Sequence, residues 1–138
     1  MTKSSKKYIQ CVHNNNKEVT PKETIYAIKK AGFDGVFLQW FNKDWEFSQE
    51  KQLELCRELG LEIPFVHLGY KNINCLWDEG DDGDKLIDDY LKDFDICKAN
   101  QVGMVVMHLT SKMDAKEPNE TGLNRIKKLV KYAEKFDI

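Results

Sequence analysis

The chain has 138 residues, which is the size of one domain or of part of one. Hydrophobic residues make up 41% and charged residues 32%, enough apolar content for a core and too much for a disordered chain. Twenty-one Lys and Arg against 23 Asp and Glu leave a formal charge of −2. That balance argues against a chain whose task is to neutralise nucleic-acid phosphates. No apolar run approaches the roughly 20 residues of a membrane span. The charged start, Met1 to Lys7, has no long apolar region and no small-residue cleavage site behind it. A cytoplasmic protein is expected. The cysteines at 11, 56, 75 and 97 form no C-x-x-C pair, so zinc-ribbon and thioredoxin-type motifs have no support. Cys56 and Cys97 fall in helix-like patterns and read as small buried thiols.

Tyr8-Ile9-Gln10-Cys11-Val12 reads as a first strand. Thr20-Pro21-Lys22-Glu23 opens a helix: Thr20 caps, Pro21 suits the first helical position, and Glu23 completes a capping box. Ile25, Ile28 and Ala31 form its inner stripe, and Gly32 stops it. Gly35-Val36-Phe37-Leu38-Gln39-Trp40 is a second strand, apolar enough to be covered on both faces. Ser48 caps the next helix, whose inner side is Leu55, Cys56 and Leu59, with Gly60 as the stop.

The third strand is Ile63-Pro64-Phe65-Val66-His67, and Pro64 must lie near its start or at a bulge. The acidic stretch from Gly69 to Asp84 reads as a solvated loop leading to a helix N-terminus. The helix from about Lys85 to Asn100 buries Leu86, Tyr90, Phe94 and Cys97. Gly103-Met104-Val105-Val106-Met107-His108 is the fourth strand. In the last helix Leu123, Ile126, Leu129, Val130, Ala133 and Phe136 make a stripe. Its lysines, Lys127, Lys128, Lys131 and Lys135, read as a solvated face.

Four βα units in succession imply an α/β fold with parallel strands and right-handed crossovers. An open doubly wound sheet and a (β/α)₈ barrel both fit. A whole barrel takes about 250 residues, so residues 1–138 would form a single partial domain, about half a barrel. In either architecture ligands gather at the carboxyl ends of the strands. All three histidines, His13, His67 and His108, stand at such ends. Two imidazoles from neighbouring strands can share a Zn, Mn, Fe or Co ion, although a closed zinc site wants three or four ligands. Trp40, Trp45 and Trp77 suit stacking on a sugar ring, or ordinary loop packing.

Several segments resemble one family: Ala31-Gly32-Phe33-Asp34-Gly35-Val36 before the second strand, Phe65-Val66-His67-Leu68, Asn72-Ile73-Asn74-Cys75-Leu76-Trp77, and Met104-Val105-Val106-Met107-His108. Together they resemble the N-terminal half of the xylose-isomerase-like TIM-barrel superfamily, which includes sugar phosphate isomerases and epimerases and the type 2 apurinic endonucleases. The resemblance implies half of a TIM barrel and a divalent metal, with Mn, Co, Zn and Mg all open. His67 and His108 match positions that are metal ligands in the endonuclease branch. In many sugar isomerases the corresponding histidines only line the pocket. His13, Gln39, Trp40, Asn74 and Trp77 are the substrate-binding candidates. The acidic ligands and the proton-moving carboxylates of the family match no residue here, so the catalytic acid and base stay unassigned.

The expected activity is metal-assisted proton transfer next to a carbonyl in a small sugar or sugar phosphate. The alternatives are an apurinic-endonuclease-like metal hydrolase, disfavoured by the net charge, and a non-catalytic half-barrel or small-molecule binding domain. A receiver domain fits poorly, because its acidic positions are held by His13-Asn14 and His67. A half-barrel has two open sheet edges, so self-association or pairing with a missing C-terminal half is expected. A membrane partner is not.

Overall fold

The computed structural model describes residues 5–11, 19–41, 46–111 and 114–138. Four strands alternate with four helices: β1 (Tyr8–Cys11), α1 (Pro21–Lys30), β2 (Gly35–Trp40), α2 (Gln49–Glu58), β3 (Val66–Leu68), α3 (Asp81–Ala99), β4 (Val105–Val106) and α4 (Glu120–Phe136). A 3₁₀ helix, Ile73–Trp77, lies between β3 and α3. The strands form one parallel sheet in the order β1-β2-β3-β4. This is an α/β half-barrel, as the repeated units imply.

Local chemistry sets the helix ends. Thr20 accepts from the Glu23 amide, and Glu23 reaches back to the Thr20 amide at 2.9 Å, so the capping box is complete. Ser48 caps α2 through the Lys51 amide. Gly32 and Gly60 follow α1 and α2 with φ of 85° and 65°, the left-handed region open to glycine.

Three boundaries differ from the expectation. β3 starts at Val66 rather than Ile63, since Pro64 has no amide to give a ladder. β4 pairs over two residues only, so His108 lies just past the ladder. α3 starts at Asp81, about four residues early, because Asp81, Asp82 and Asp84 in its first turn complement the helix dipole. The supposed loop ahead of it holds the 3₁₀ helix.

The register fixes what each strand face carries. Gln39 pairs with His67 and His67 with Val106, so these three share one face, together with Gln10, Phe37, Phe65 and Met104. The other face carries Cys11, Val36, Leu38, Trp40, Val66 and Leu68, each at most 1% exposed. The helices pack against this second face. Ile25 and Ile28 of α1, Leu53, Leu55 and Cys56 of α2, and Ile87, Tyr90, Phe94 and Cys97 of α3 complete the core. Burial pushes the Cys11, Cys56 and Cys97 thiols up to about 12, so they stay protonated and unreactive at neutral pH. Ala31, Leu123 and Val130, expected inside, are exposed.

Arg125 is a structural centre that the sequence patterns did not single out. Its side chain is 8% exposed. Nε donates to Asp84 at 2.9 Å, Nη1 to the Leu76 and Asp78 carbonyls, and Nη2 to the Gly80 carbonyl at 2.8 Å. It satisfies the carbonyl end of the 3₁₀ helix and ties that turn to α3 and α4.

Candidate functional site at the carboxyl ends of β3 and β4

His67 projects from the sheet face opposite the helices, and His108 follows two residues after Val106 on the same face. Their Nε2 atoms lie 3.2 Å apart, with ring centroids at 5.0 Å. His67 Nδ1 is 2.9 Å from the Leu68 carbonyl oxygen. A carbonyl only accepts, so Nδ1 carries the proton, and the Nε2 of a neutral ring carries the lone pair. In the metal-free pair His108 Nε2–H then donates to it.

Two further aromatic residues lie beside the pair. The Tyr70 ring lies 4.6 Å from His108 and the Phe41 ring 6.3 Å from His67, and Phe41 meets Tyr70 edge-on at 4.4 Å. Neither was among the expected site residues. Both follow a strand end by one or two residues, which is the positional signal that could have found them. Below the imidazoles, Gln10 Nε2 donates to Gln39 Oε1 at 3.2 Å. Gln39 is 6% exposed and is the register partner of His67.

The remaining candidates sit elsewhere. Trp40 is one residue past Gln39, so its side chain points to the opposite face, where it is 1% exposed. There it lines a cleft of about 460 Å³ with Phe41, Gly69, Tyr90 and Asp93, between the β2 end and α3. Trp77 is buried, donates from Nε1 to the Leu109 carbonyl at 2.7 Å, and packs against Gly122. These two indoles are therefore not a sugar platform beside the histidines: Trp40 is removed by strand parity and Trp77 by burial in the 3₁₀–α4 contact. Asn74 accepts from the Ser111 amide and the Thr110 hydroxyl, and donates to the Asp114 carbonyl. It holds the loop that follows His108. His13 and Trp45 lie outside the described residues.

The donor set can be compared with what a divalent ion needs. Nitrogens 3.2 Å apart can both lie within the 2.0–2.1 Å bond length of one zinc-like ion. The Leu68 carbonyl holds His67 in the tautomer that leaves Nε2 free to bind, the usual outer-shell device for a metal-bound histidine. The pair thus fits as two ligands of a site. Among the described residues no group of three or more His, Cys, Asp or Glu is placed to hold an ion.

Residues 25–138 match the family described as xylose isomerase-like TIM barrel. No curated protein matches the chain. Among the described residues no helix is long and apolar enough to cross a membrane.

Proposed function

The chain belongs to the xylose isomerase-like TIM barrel family, and from that premise we propose that it forms the β3–β4 side of a sugar or sugar-phosphate isomerase or epimerase site. The family covers such enzymes and the related endonuclease-like ones, and it often uses divalent metals. The observation that carries the reading is the His67–His108 pair, with the two Nε2 atoms 3.2 Å apart. His67 and His108 would hold a divalent ion there, of the Mn, Co or Zn type that accepts imidazole. When bound, the ion supplies positive charge beside the sugar carbonyl during proton transfer.

The chain's own residues do the positioning. The Leu68 carbonyl fixes the His67 ring. Gln39, held by Gln10, offers an amide at the floor of the same face. Phe41 and Tyr70 give an aromatic wall beside the imidazoles. Asn74 holds the loop after His108 in place. The group that moves the proton is not assigned to any residue of this chain.

Cobalt titration followed by absorption and calorimetry tests the site. Weak binding is expected, at one ion per chain, lost in both His67→Gln and His108→Gln. It should weaken as pH falls, because a protonated imidazole cannot coordinate. Equal cobalt binding by the double variant would overturn the assignment. Assays with aldoses, ketoses and their phosphates, run beside an apurinic DNA duplex, separate the isomerase reading from the endonuclease one. Little or no turnover by the chain alone is expected with either, since two imidazoles are an incomplete site. Cleavage of the duplex would replace the isomerase reading.

A further inference from the structure

His108 stands two residues past the last pair of the β3–β4 ladder, which ends with His67 beside Val106. Strand pairing therefore fixes His67 and does not fix His108. The Tyr70 ring lies against the His108 imidazole at 4.6 Å, but the ladder does not reach the backbone that carries it. Two nitrogens 3.2 Å apart serve one ion only if both are held to within about 0.5 Å.

The residues that follow His108 are tied to two side chains of the 3₁₀ helix. Trp77 Nε1 donates to the Leu109 carbonyl at 2.7 Å. Asn74 Oδ1 accepts from the Thr110 hydroxyl at 3.0 Å and from the Ser111 amide at 2.9 Å, and its Nδ2 donates to the Asp114 carbonyl at 2.9 Å. An amide N–H only donates and a carbonyl only accepts, so these partners fix which way the Asn74 amide points. Three consecutive residues, Leu109, Thr110 and Ser111, thus hang from one short helix.

The start of α4 anchors that helix in turn. Asn119 caps α4 through the Gly122 amide at 3.0 Å and donates from Nδ2 to the Trp77 carbonyl at 2.7 Å. Gly122 lies so close to the Trp77 ring that a Cβ would overlap it. Arg125 Nη1 gathers the Cys75, Leu76 and Asp78 carbonyls. Leu76 and Trp77 are buried, so the anchor is packed as well as hydrogen-bonded. A buried network of this kind holds one geometry when its members are paired.

We propose that Asn74 and Trp77 are positioning residues for His108. With the first turns of α4 they form a clamp that sets the second imidazole opposite the first. They act through the loop after β4 and touch neither an ion nor a sugar. The consequence for metal rests on the reading of the two histidines as ligands of one ion. By linkage, an ion that draws His108 to His67 tightens the same clamp.

The first readout uses the metal-free chain. Ring-proton nuclear Overhauser contacts between His67 and His108 should be present in the parent and lost in Asn74→Ala. The His67–Phe41 contact should stay, because β3 holds His67. Trp77→Phe, which keeps a ring and removes the N–H, should do the same. Ile28→Val, a core change in α1 away from the clamp, should leave both contacts intact, which separates positioning from a general loss of stability. The second readout is cobalt. Asn74→Ala should weaken its binding roughly tenfold to a hundredfold, toward the level of His108→Gln. Added cobalt should slow hydrogen exchange at the Trp77 indole and the 3₁₀ amides in the parent and not in Asn74→Ala. An intact imidazole contact and unchanged cobalt affinity in both Asn74→Ala and Trp77→Phe would overturn the proposal. A parent that binds no cobalt, with the imidazole contact still lost in both variants, would overturn the metal reading and uphold the clamp.

Discussion

The two faces of the sheet are built from the same strands and differ in almost every physical respect. Toward the helices, Val36, Leu38, Trp40, Val66 and Leu68 are sealed under α1, α2 and α3. Toward the other side, Phe37, Phe65 and His67 are only partly covered, Met104 is open, and the row ends in two imidazoles. Alternation along a strand separates these roles at one-residue spacing. Gln39 and Trp40 show it most sharply: adjacent in sequence, one lies under His67 and the other behind the sheet. The helix side holds the packed core of this half-barrel, and the other side carries the candidate site.

The largest effect should come from breaking the sealed side. Leu38→Ala is expected to cost about 3–5 kcal/mol, because the strand and helix backbones around it cannot collapse into the space. Met104→Ala, on the open face of the isolated chain, should cost less than about 0.5 kcal/mol. Urea unfolding of both variants measures the contrast. Equal costs would mean that the open face is as well packed as the sealed one.

Arg125 comes next. Arg125→Ala removes the donors for the Leu76, Asp78 and Gly80 carbonyls and for Asp84. Orphaned carbonyls in a partly buried turn should cost about 2–3 kcal/mol in total. Hydrogen exchange should show the 3₁₀ helix and the start of α3 opening before β1 and β2. A uniform loss across the sheet would contradict the local role of the guanidinium.

Gly122 offers a smaller test of the same contact. A Cβ there would lie 2.1 Å from Trp77 Cε3, so Gly122→Ala must push a buried indole aside. The expected cost is about 1–3 kcal/mol, with a shift in Trp77 fluorescence. Since Trp77 Nε1 holds Leu109, the residue after His108, the variant should also weaken cobalt binding.

The smallest effect concerns pH. The Thr20 amide, and then its hydroxyl, hold the Glu23 carboxyl below its ordinary value. A group with a lowered folded pKa contributes stability above its unfolded pKa and loses it as pH falls through the folded value. Glu23→Ala should therefore lower the urea midpoint slightly at pH 7, and the gap from the parent should close as the pH falls below about 4. A gap that persists in acid would point to packing rather than charge.

What was legible in the sequence follows from short-range rules. Helix caps at Thr20 and Ser48, stops at Gly32 and Gly60, and apolar runs spaced by helices need only neighbours in the chain, and they determined the parallel βα order and the half-barrel. The position of His67 and His108 at strand ends was readable for the same reason. Register was not. Whether Trp40 faces the histidines or the helices depends on which residue of β3 stands beside Gln39, a pairing that links β2 to β3. The exposure of Leu123 and Val130 likewise depends on which flank of α4 meets α3, which the helical stripe leaves open. Arg125 carried no signal in the helical pattern, and only the return of the chain past the 3₁₀ turn set five acceptors around it. Local sequence chose the elements because capping and periodicity act within a few residues. The tertiary structure chose faces, partners and the imidazole contact, because those depend on distances between segments that the chain brings together only on folding.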